Sequence, residues 1–212
     1  MFPSHEVRWF LEGSIAHHPE LRSWIEDGMK SPQWQGRLGG KPDVYVVIPD
    51  DASMGIKWRE GQLQIKGLES ALGTQLFAGG HAGKVERWIK WSYAGEMISR
   101  NFAPWFGKSG AGPRIVEVFK SRCLRKVRLN PFTGEMIEAG TGEAMDRGGI
   151  LEVTDLRAGE KEYTSIAFEA FPNDSAMHRD FTTFVNGYLK SLKGVPLTES
   201  NSLSYPAWLR GL

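Results

Sequence analysis

The chain has 212 residues, of which 41% are hydrophobic and 24% are charged, and its formal net charge is +1. This length is enough for one large domain with a real core. The near-balanced charge argues against a general nucleic-acid binder, although it permits local charged patches. Because Cys123 is the one cysteine, the sequence excludes an intrachain disulfide and a zinc site built from cysteines.

Two further expectations concern location and domain organisation. The N-terminal segment MFPSHEVRWFLEG lacks the apolar run of a signal peptide, and no segment has the apolar length that spans a bilayer. We therefore expect a cytoplasmic protein that makes no membrane contact. Residues 1–193 are predicted to form a single domain, and residues 194–212 are predicted to form a C-terminal tail that docks on it.

In the first half of the chain, alternating polar and apolar residues, or β-branched residues bounded by prolines, predict strands. These strands are expected at residues 6–12, at 43–48 (DVYVVI), in a hairpin over 55–66 that turns at Glu60-Gly61, and at 84–93. Residues 17–29 are predicted to form a helix, because Pro19 suits a first turn and apolar residues share one face. The glycine-rich stretch 73–83 is predicted to be a connection.

The second half is predicted to contain further strands and one clear helix. The expected elements are a short helix within 94–102, a loop and hinge at 101–113, one long or two shorter strands over 114–129, strands at 150–156 and 162–171, and a helix over 174–192 capped by Asp174. About eight strands with few helices between them favour a mainly β fold, either a barrel or a sandwich, with helices outside.

The hairpin GIKWREGQLQIKGL divides its side chains between two faces. Lys57, Arg59 and Lys66 share one face, whereas Ile56 and Trp58 lie on the other. An antiparallel sheet with one solvated face explains this pattern without any ligand, and would suit a β-sheet interaction protein. A barrel with a polar interior explains it equally well and would concentrate positive charge where phosphates bind. The residue pattern leaves both explanations open.

Several segments, in their order along the chain, resemble the CYTH superfamily of triphosphate tunnel metalloenzymes. This family includes thiamine triphosphatases, inorganic tripolyphosphatases and some adenylate cyclases. The similar segments are HEVRWFL, MGIKWREGQLQIKGL, VFKSRCLR and ILEVTDLRAGEKEYTSIAFEAF, and they extend over roughly residues 5–190. HEVRWFL lies where the family carries a Glu-x-Glu-x-Lys signature.

The resemblance implies an eight-stranded antiparallel β-barrel whose tunnel binds a small triphosphate or polyphosphate compound. By matching position, it implies phosphate contacts from Lys57, Arg59, Lys66, Lys90, Lys120, Arg122 and Arg125. It also implies that Glu6, Glu152 and Glu169 hold Mg²⁺ or Mn²⁺, which would assist hydrolysis by a positioned water. The alternative is a non-catalytic polyphosphate- or nucleotide-binding protein that has lost the metal site.

The opening strand departs from the family signature at two positions. Arg8 occupies the place of the second carboxylate, and Phe10 occupies the place of the lysine. A cation in place of a metal ligand weakens the binding of a divalent ion. The sequence therefore leaves open whether the protein is an enzyme, and it gives no oligomeric state.

Overall fold

In the computed structural model, the chain is described at residues 2–28, 34–36, 38–94, 114–130, 132–133, 135–140, 142–172, 174 and 176–212. Within these ranges, ten strands form one antiparallel sheet. The strands are β1 (Phe2–Glu12), β2 (Trp34–Gln35), β3 (Asp43–Val47), β4 (Met54–Arg59), β5 (Gln62–Phe77), β6 (His81–Ala94), β7 (Arg114–Leu129), β8 (Met136–Ala139), β9 (Gly148–Ala158) and β10 (Lys161–Phe171). The α-helices in the same ranges are α1 (Pro19–Gly28), α2 (Met177–Leu189) and α3 (Tyr205–Arg210).

Eight of the strands close into a barrel, because β7 pairs with β3 along one edge and with β9 along the other. The order around the barrel is β7-β3-β4-β5-β6-β1-β10-β9, and every neighbouring pair is antiparallel. The short strands β2 and β8 are additions that pair with β7. The predicted mainly β fold, an eight-stranded antiparallel barrel with helices, is confirmed.

The glycine-rich stretch 73–83 forms strand rather than the predicted connection. β5 continues to Phe77 and β6 begins at His81, so the short 3-10 turn Ala78–Gly80 makes the whole connection. Gly73 has a φ of +83° and lies at a register shift between β5 and β6, which identifies a β-bulge. The glycines therefore permit a bulge and a tight turn inside a long hairpin.

Other differences from the predicted elements concern the short strands and the edges of the long ones. β2 and β8 have two and four residues, which is too short for a clear alternating pattern. Of the two predicted possibilities for residues 114–129, the structure has the single long strand, and β9 and β10 extend beyond the predicted limits. The helix predicted within 94–102 and the hinge predicted at 101–113 fall outside the described residues, apart from the end of β6.

The larger hydrophobic core lies outside the barrel wall, beneath α1 and α2. Trp9 of β1 and Phe168 of β10 are fully buried there, with Phe181 and Phe184 of α2 packed against the wall. Gly83 permits the closest approach, because a Cβ atom at this position would lie 2.4 Å from the Trp9 indole. The indole Nε1 also donates a hydrogen bond of 2.7 Å to the carbonyl oxygen of Ala82.

The start of α2 is held by Asp174, as the sequence predicted, although the helix begins three residues later. The Asp174 carboxylate accepts hydrogen bonds from the backbone N–H groups of Ala176 and Met177 at 3.0 and 2.9 Å. These N–H groups have no partner within the helix, so the carboxylate satisfies them and matches the positive end of the helix dipole.

A second, smaller apolar cluster fills part of the barrel interior. Its wall residues include Phe10 and Val118, and the C-terminal segment supplies Trp208 and Leu209 from α3. The rings of Phe10 and Trp208 stack with centroids 4.6 Å apart. This packing fixes α3 against the inner wall of the barrel. None of the helices in the described ranges combines the length and apolar character needed to cross a membrane.

Candidate functional site

The rest of the barrel interior is a charged cavity of about 400 Å³. Alternate residues of a strand face the same side, so each barrel strand directs every second side chain inward. The cationic side chains that line the cavity come from five strands: Arg8, Lys57, Arg59, Lys66, Lys84, Lys90, Lys120 and Arg122. The acidic side chains in the lining are Glu6, Glu60, Glu86, Glu152 and Glu169. Eight cations and five carboxylates therefore line one cavity, and a sixth carboxylate, that of Asp43, lies behind three of the cations.

The structure brings six of the seven predicted phosphate-binding residues to this cavity. Arg125 is the exception, because it is an odd number of residues from Lys120 and so lies on the outer face of β7. There its guanidinium pairs with Glu138 and lies 4.9 Å from the centroid of the Tyr188 ring. The expected position of Arg125 is thus corrected: it lines a separate cavity between the barrel wall and α2.

Asp43 is the internal counter-ion of one group of cations. Its carboxylate lies 3.1 Å from the Lys120 ammonium, 3.4 Å from that of Lys57, and 3.5 Å from Nε of Arg59. Burial alone would raise the pKa of Asp43, but attraction to the surrounding cations outweighs burial and lowers this pKa. One carboxylate thus serves three cations, which leaves local positive charge unbalanced.

Burial also weakens the protonation of the two lysines in this group. It lowers the pKa of Lys57 to about 7, and repulsion from Lys120 acts in the same direction. It lowers the pKa of Lys120 to about 8, although attraction to Asp43 opposes the decrease. The Lys120 ammonium is held further by a hydrogen bond of 2.6 Å to the Tyr45 hydroxyl. An anion bound beside these lysines would favour their charged forms.

Arg8 and Glu152 form a second group on the facing part of the wall. Nη1 of Arg8 donates hydrogen bonds to Glu152 at 2.9 Å and to the Ser165 hydroxyl at 3.2 Å. Arg122 approaches the other oxygen of Glu152 to 3.7 Å. Burial would raise the pKa of Glu152, yet attraction to Arg8 and Arg122 lowers it to about 2. Glu152 is therefore ionised at neutral pH and already surrounded by guanidinium groups.

Lys66 and three glutamates form the third group. Glu6 pairs in register with Glu86 on one side and Glu169 on the other, so the three carboxylates form a row across β6, β1 and β10. Lys66 contacts Glu6 directly and lies 3.7 Å from Glu169. Burial raises the pKa of Glu169, and repulsion from Glu6 adds to this effect. Burial likewise raises the pKa of Glu86, which accepts a hydrogen bond from the Trp88 indole at 2.9 Å.

Lys90 lies directly across from Lys66 in the β5–β6 pairing. Like charges at facing positions of neighbouring strands repel each other. Burial, followed by the repulsion from Lys66, lowers the pKa of Lys90. No ion pair within the described ranges involves Lys90, so its charge is among those that an anionic ligand could balance.

The carboxylates that the resemblance assigns to a divalent cation are engaged by cationic side chains in this structure. Mg²⁺ and Mn²⁺ bind through oxygen ligands, so either metal would have to displace these cations. Glu152 is paired with arginines, while Glu6 and Glu169 share the ammonium of Lys66. Across the described part of the chain, no group of three Asp, Glu, His or Cys side chains has an arrangement that could hold a metal ion.

Several cavity residues were not singled out as site residues from the sequence. Asp43 and Tyr45 lie in β3, which the sequence predicted as a strand without assigning it any site residue. Tyr205 comes from the C-terminal tail, and its ring lies 4.1 Å from the Lys120 ammonium and 4.6 Å from the Arg8 guanidinium carbon. Strand alternation could have identified Asp43 and Tyr45, whereas nothing in the local sequence around Tyr205 indicates where the tail docks.

Comparisons with known proteins were made for the whole chain. No protein-family model and no curated protein matches it. Among solved structures, the chain is similar to a conserved hypothetical protein from Pyrococcus furiosus, with 13% identity and a TM-score of 0.42 over 95% of this chain and 98% of that chain. A similarity of this size carries no functional argument, so the geometry of the cavity has to supply one.

Proposed function

We propose that the barrel cavity binds a small compound with several phosphate groups, such as inorganic tripolyphosphate or a nucleoside triphosphate, without hydrolysing it. The observation that carries this proposal is the convergence of cations from five strands on a single cavity. Positive charges in a concave, low-dielectric site attract an anion more strongly than the same charges on an open surface.

The unequal pairing inside the cavity favours a ligand with more than one negative charge. Asp43 serves Lys57, Arg59 and Lys120 together, and the facing Lys66 and Lys90 repel each other. Several linked phosphates would place anionic oxygens beside each of these groups at once. Arginine offers paired donors that match phosphate oxygens, whereas lysine acts as a point charge, and both types are present.

The size of the cavity is consistent with a small molecule. Its volume of about 400 Å³ lies within the range of pockets that hold small ligands. The resemblance of several sequence segments to triphosphate tunnel enzymes supports the same ligand class by a separate route. That resemblance also suggests metal-dependent hydrolysis, the alternative function. We place binding first, because hydrolysis would require Glu6, Glu152 and Glu169 to exchange their Lys and Arg partners for a metal.

Calorimetric titration with tripolyphosphate, together with a phosphate-release assay, tests this proposal. The expected result is saturable binding at one site, a ligand-dependent rise in melting temperature, and no phosphate release with Mg²⁺ or Mn²⁺. Absence of both binding and stabilisation would reject a polyphosphate site. Metal-dependent release that is lost in Arg59→Gln but kept in Arg125→Gln would establish hydrolysis in the cavity instead.

A further inference from the structure

The ion pair between Arg8 and Glu152 bears on whether a phosphate ligand is bound with or without Mg²⁺. Polyphosphates and nucleoside triphosphates commonly carry a Mg²⁺ ion that bridges their phosphate oxygens. We propose that this cavity selects the metal-free anion. The guanidinium of Arg8 contacts the phosphate oxygens that Mg²⁺ would bind in the magnesium complex of the ligand. This inference rests on the proposed function and specifies its ligand class.

Part of the Arg8 guanidinium is held by hydrogen bonds within the protein, and its remaining N–H donors are available to a ligand. Its Nη1 group binds Glu152 at 2.9 Å and Ser165 at 3.2 Å, and its guanidinium lies over the Tyr205 ring. A guanidinium has five N–H donors, of which Nη1 provides two. Within the described ranges, no hydrogen bond involves Nε or Nη2 of Arg8, which lines the cavity. Three donors therefore remain for ligand oxygens.

Arg8 is also oriented before any ligand arrives. Glu152 fixes the guanidinium through a buried ion pair, and the second arginine beside Glu152, Arg122, restricts that carboxylate in turn. A donor that is already fixed loses little conformational entropy when it binds. Arg8 is therefore suited to clamp phosphate oxygens that Mg²⁺ would otherwise bridge.

A ligand that retained Mg²⁺ would meet an unfavourable environment. The metal would lie among the cations Arg8, Lys66 and Lys120, while the nearest carboxylates are already paired with such groups. Mg²⁺ also removes two negative charges from the ligand, which weakens its attraction to a site with excess positive charge. Both effects favour the free polyphosphate over its magnesium complex.

Titration of the unmodified protein with tripolyphosphate, first with a chelator and then with excess MgCl₂, tests the inference. We expect the apparent affinity to fall about tenfold or more when Mg²⁺ is added, since Mg²⁺ converts the free ligand into a complex that does not enter the site. Equal or tighter binding with Mg²⁺ would overturn the inference while leaving polyphosphate binding in place. Absence of binding in both conditions would overturn the proposed function as well, so the two failures are distinguishable.

A double variant tests the role of Arg8 itself. Arg8→Gln alone would leave Glu152 with one fewer cation in a buried site, which destabilises folded proteins. Arg8→Gln combined with Glu152→Gln removes both charges and keeps the net charge of the cavity. We expect this protein to bind tripolyphosphate about tenfold more weakly in the chelator and to lose much of its discrimination against Mg²⁺.

The matched control is Arg125→Gln combined with Glu138→Gln. It removes the same kind of ion pair from the outer face of β7, so it should leave both affinities unchanged. Melting temperatures of both double variants report whether each protein is folded. Unchanged binding by a folded Arg8→Gln/Glu152→Gln variant would contradict the role of Arg8, and the magnesium comparison on the unmodified protein does not depend on either variant.

Discussion

The outer and inner faces of the barrel wall carry side chains from the same strands but bury them by different means. On β1, Trp9 faces outward and is fully buried against apolar side chains beneath the helices. Its neighbour Arg8 faces inward and is buried by ion pairing and aromatic contact. The comparison indicates that the outer layer supplies most of the folding free energy, because apolar burial is the dominant favourable contribution. The inner face can therefore hold buried ion pairs that add little net stability, although removal of one partner alone destabilises the fold.

A substitution in the outer layer should have the largest effect on stability. Phe168 is fully buried, and its ring contacts those of Trp9 and Phe184 at centroid distances of 6.4 and 5.5 Å. Phe168→Ala should lower the free energy of unfolding by about 3–5 kcal/mol, through lost burial and the cavity it leaves. Urea denaturation measures this change. The affinity of the folded fraction for tripolyphosphate should stay constant. A decrease in the free energy of unfolding of less than about 1 kcal/mol would contradict the role of the outer layer in stability.

A substitution on the inner face should weaken ligand binding and leave stability nearly unchanged. Arg59 lines the cavity, and its ion pairs within the described ranges are long, at 3.5 Å to Asp43 and 3.6 Å to Glu60. Arg59→Gln should reduce tripolyphosphate affinity about tenfold to a hundredfold, as expected for the loss of charge-assisted hydrogen bonds. The melting temperature should change little. Arg125→Gln is the matched control for calorimetry, and equal effects of the two variants would contradict an internal site.

The lysines around Asp43 should make binding dependent on pH. Because the folded pKa values of Lys57 and Lys120 are about 7 and about 8, both ammonium groups lose protons between about pH 6 and pH 9. An anion favours the charged lysines, so its affinity should fall about tenfold as pH rises, and binding near neutral pH should take up protons. Trimetaphosphate suits the titration, since its own charge is constant over this range.

The control for the pH dependence replaces both lysines by arginine, which stays protonated throughout the range. Lys57→Arg with Lys120→Arg should flatten the profile. Calorimetry in buffers of different ionisation enthalpy reports the proton uptake independently. A profile that is flat in the unmodified protein, or that rises with pH, would show that these lysines do not face the ligand.

The smallest expected effect has the opposite sign. Asp43→Asn removes the carboxylate that competes with a ligand for Lys57, Arg59 and Lys120. Loss of Asp43 lowers the pKa values of Lys57 and Lys120 further, so the comparison is made at about pH 5, where both stay charged. There affinity for tripolyphosphate should rise several-fold, on the order of 1 kcal/mol. Asp50→Asn, in the loop after β3, is the comparison for a carboxylate outside the cavity. Weaker binding by Asp43→Asn would mean that Asp43 mainly positions the cations and competes little with the ligand.

Strand alternation predicted much of the cavity, because a period of two assigns each side chain to a face. It correctly grouped Lys57, Arg59 and Lys66, but it could not decide whether that face was solvated. That decision depends on closure of the sheet between β7 and β9, a long-range pairing that leaves no local signal. Arg125 was assigned to the cavity by the family resemblance, although its odd spacing from Lys120 places it on the other face of β7.

The remaining parts of the site depend on contacts between distant segments. Tyr205 reaches the cavity because the C-terminal segment packs on Phe10 and Tyr45, whose rings lie 5.4 and 5.5 Å from it. The pairing of Arg8 with Glu152 joins β1 and β9, which are separated by β10. The sequence showed Arg8 only as a departure from a metal-binding signature. The fold then identified Glu152 as the carboxylate that pairs with Arg8.

A crystal structure of the protein grown with tripolyphosphate would test the central claim most directly, because it distinguishes the inner from the outer face. The account predicts phosphate groups inside the barrel, within hydrogen-bonding distance of Arg8, Arg59 and Lys120. Phosphate groups bound only outside the barrel, beside Arg125 or other cations of the outer face, would contradict it.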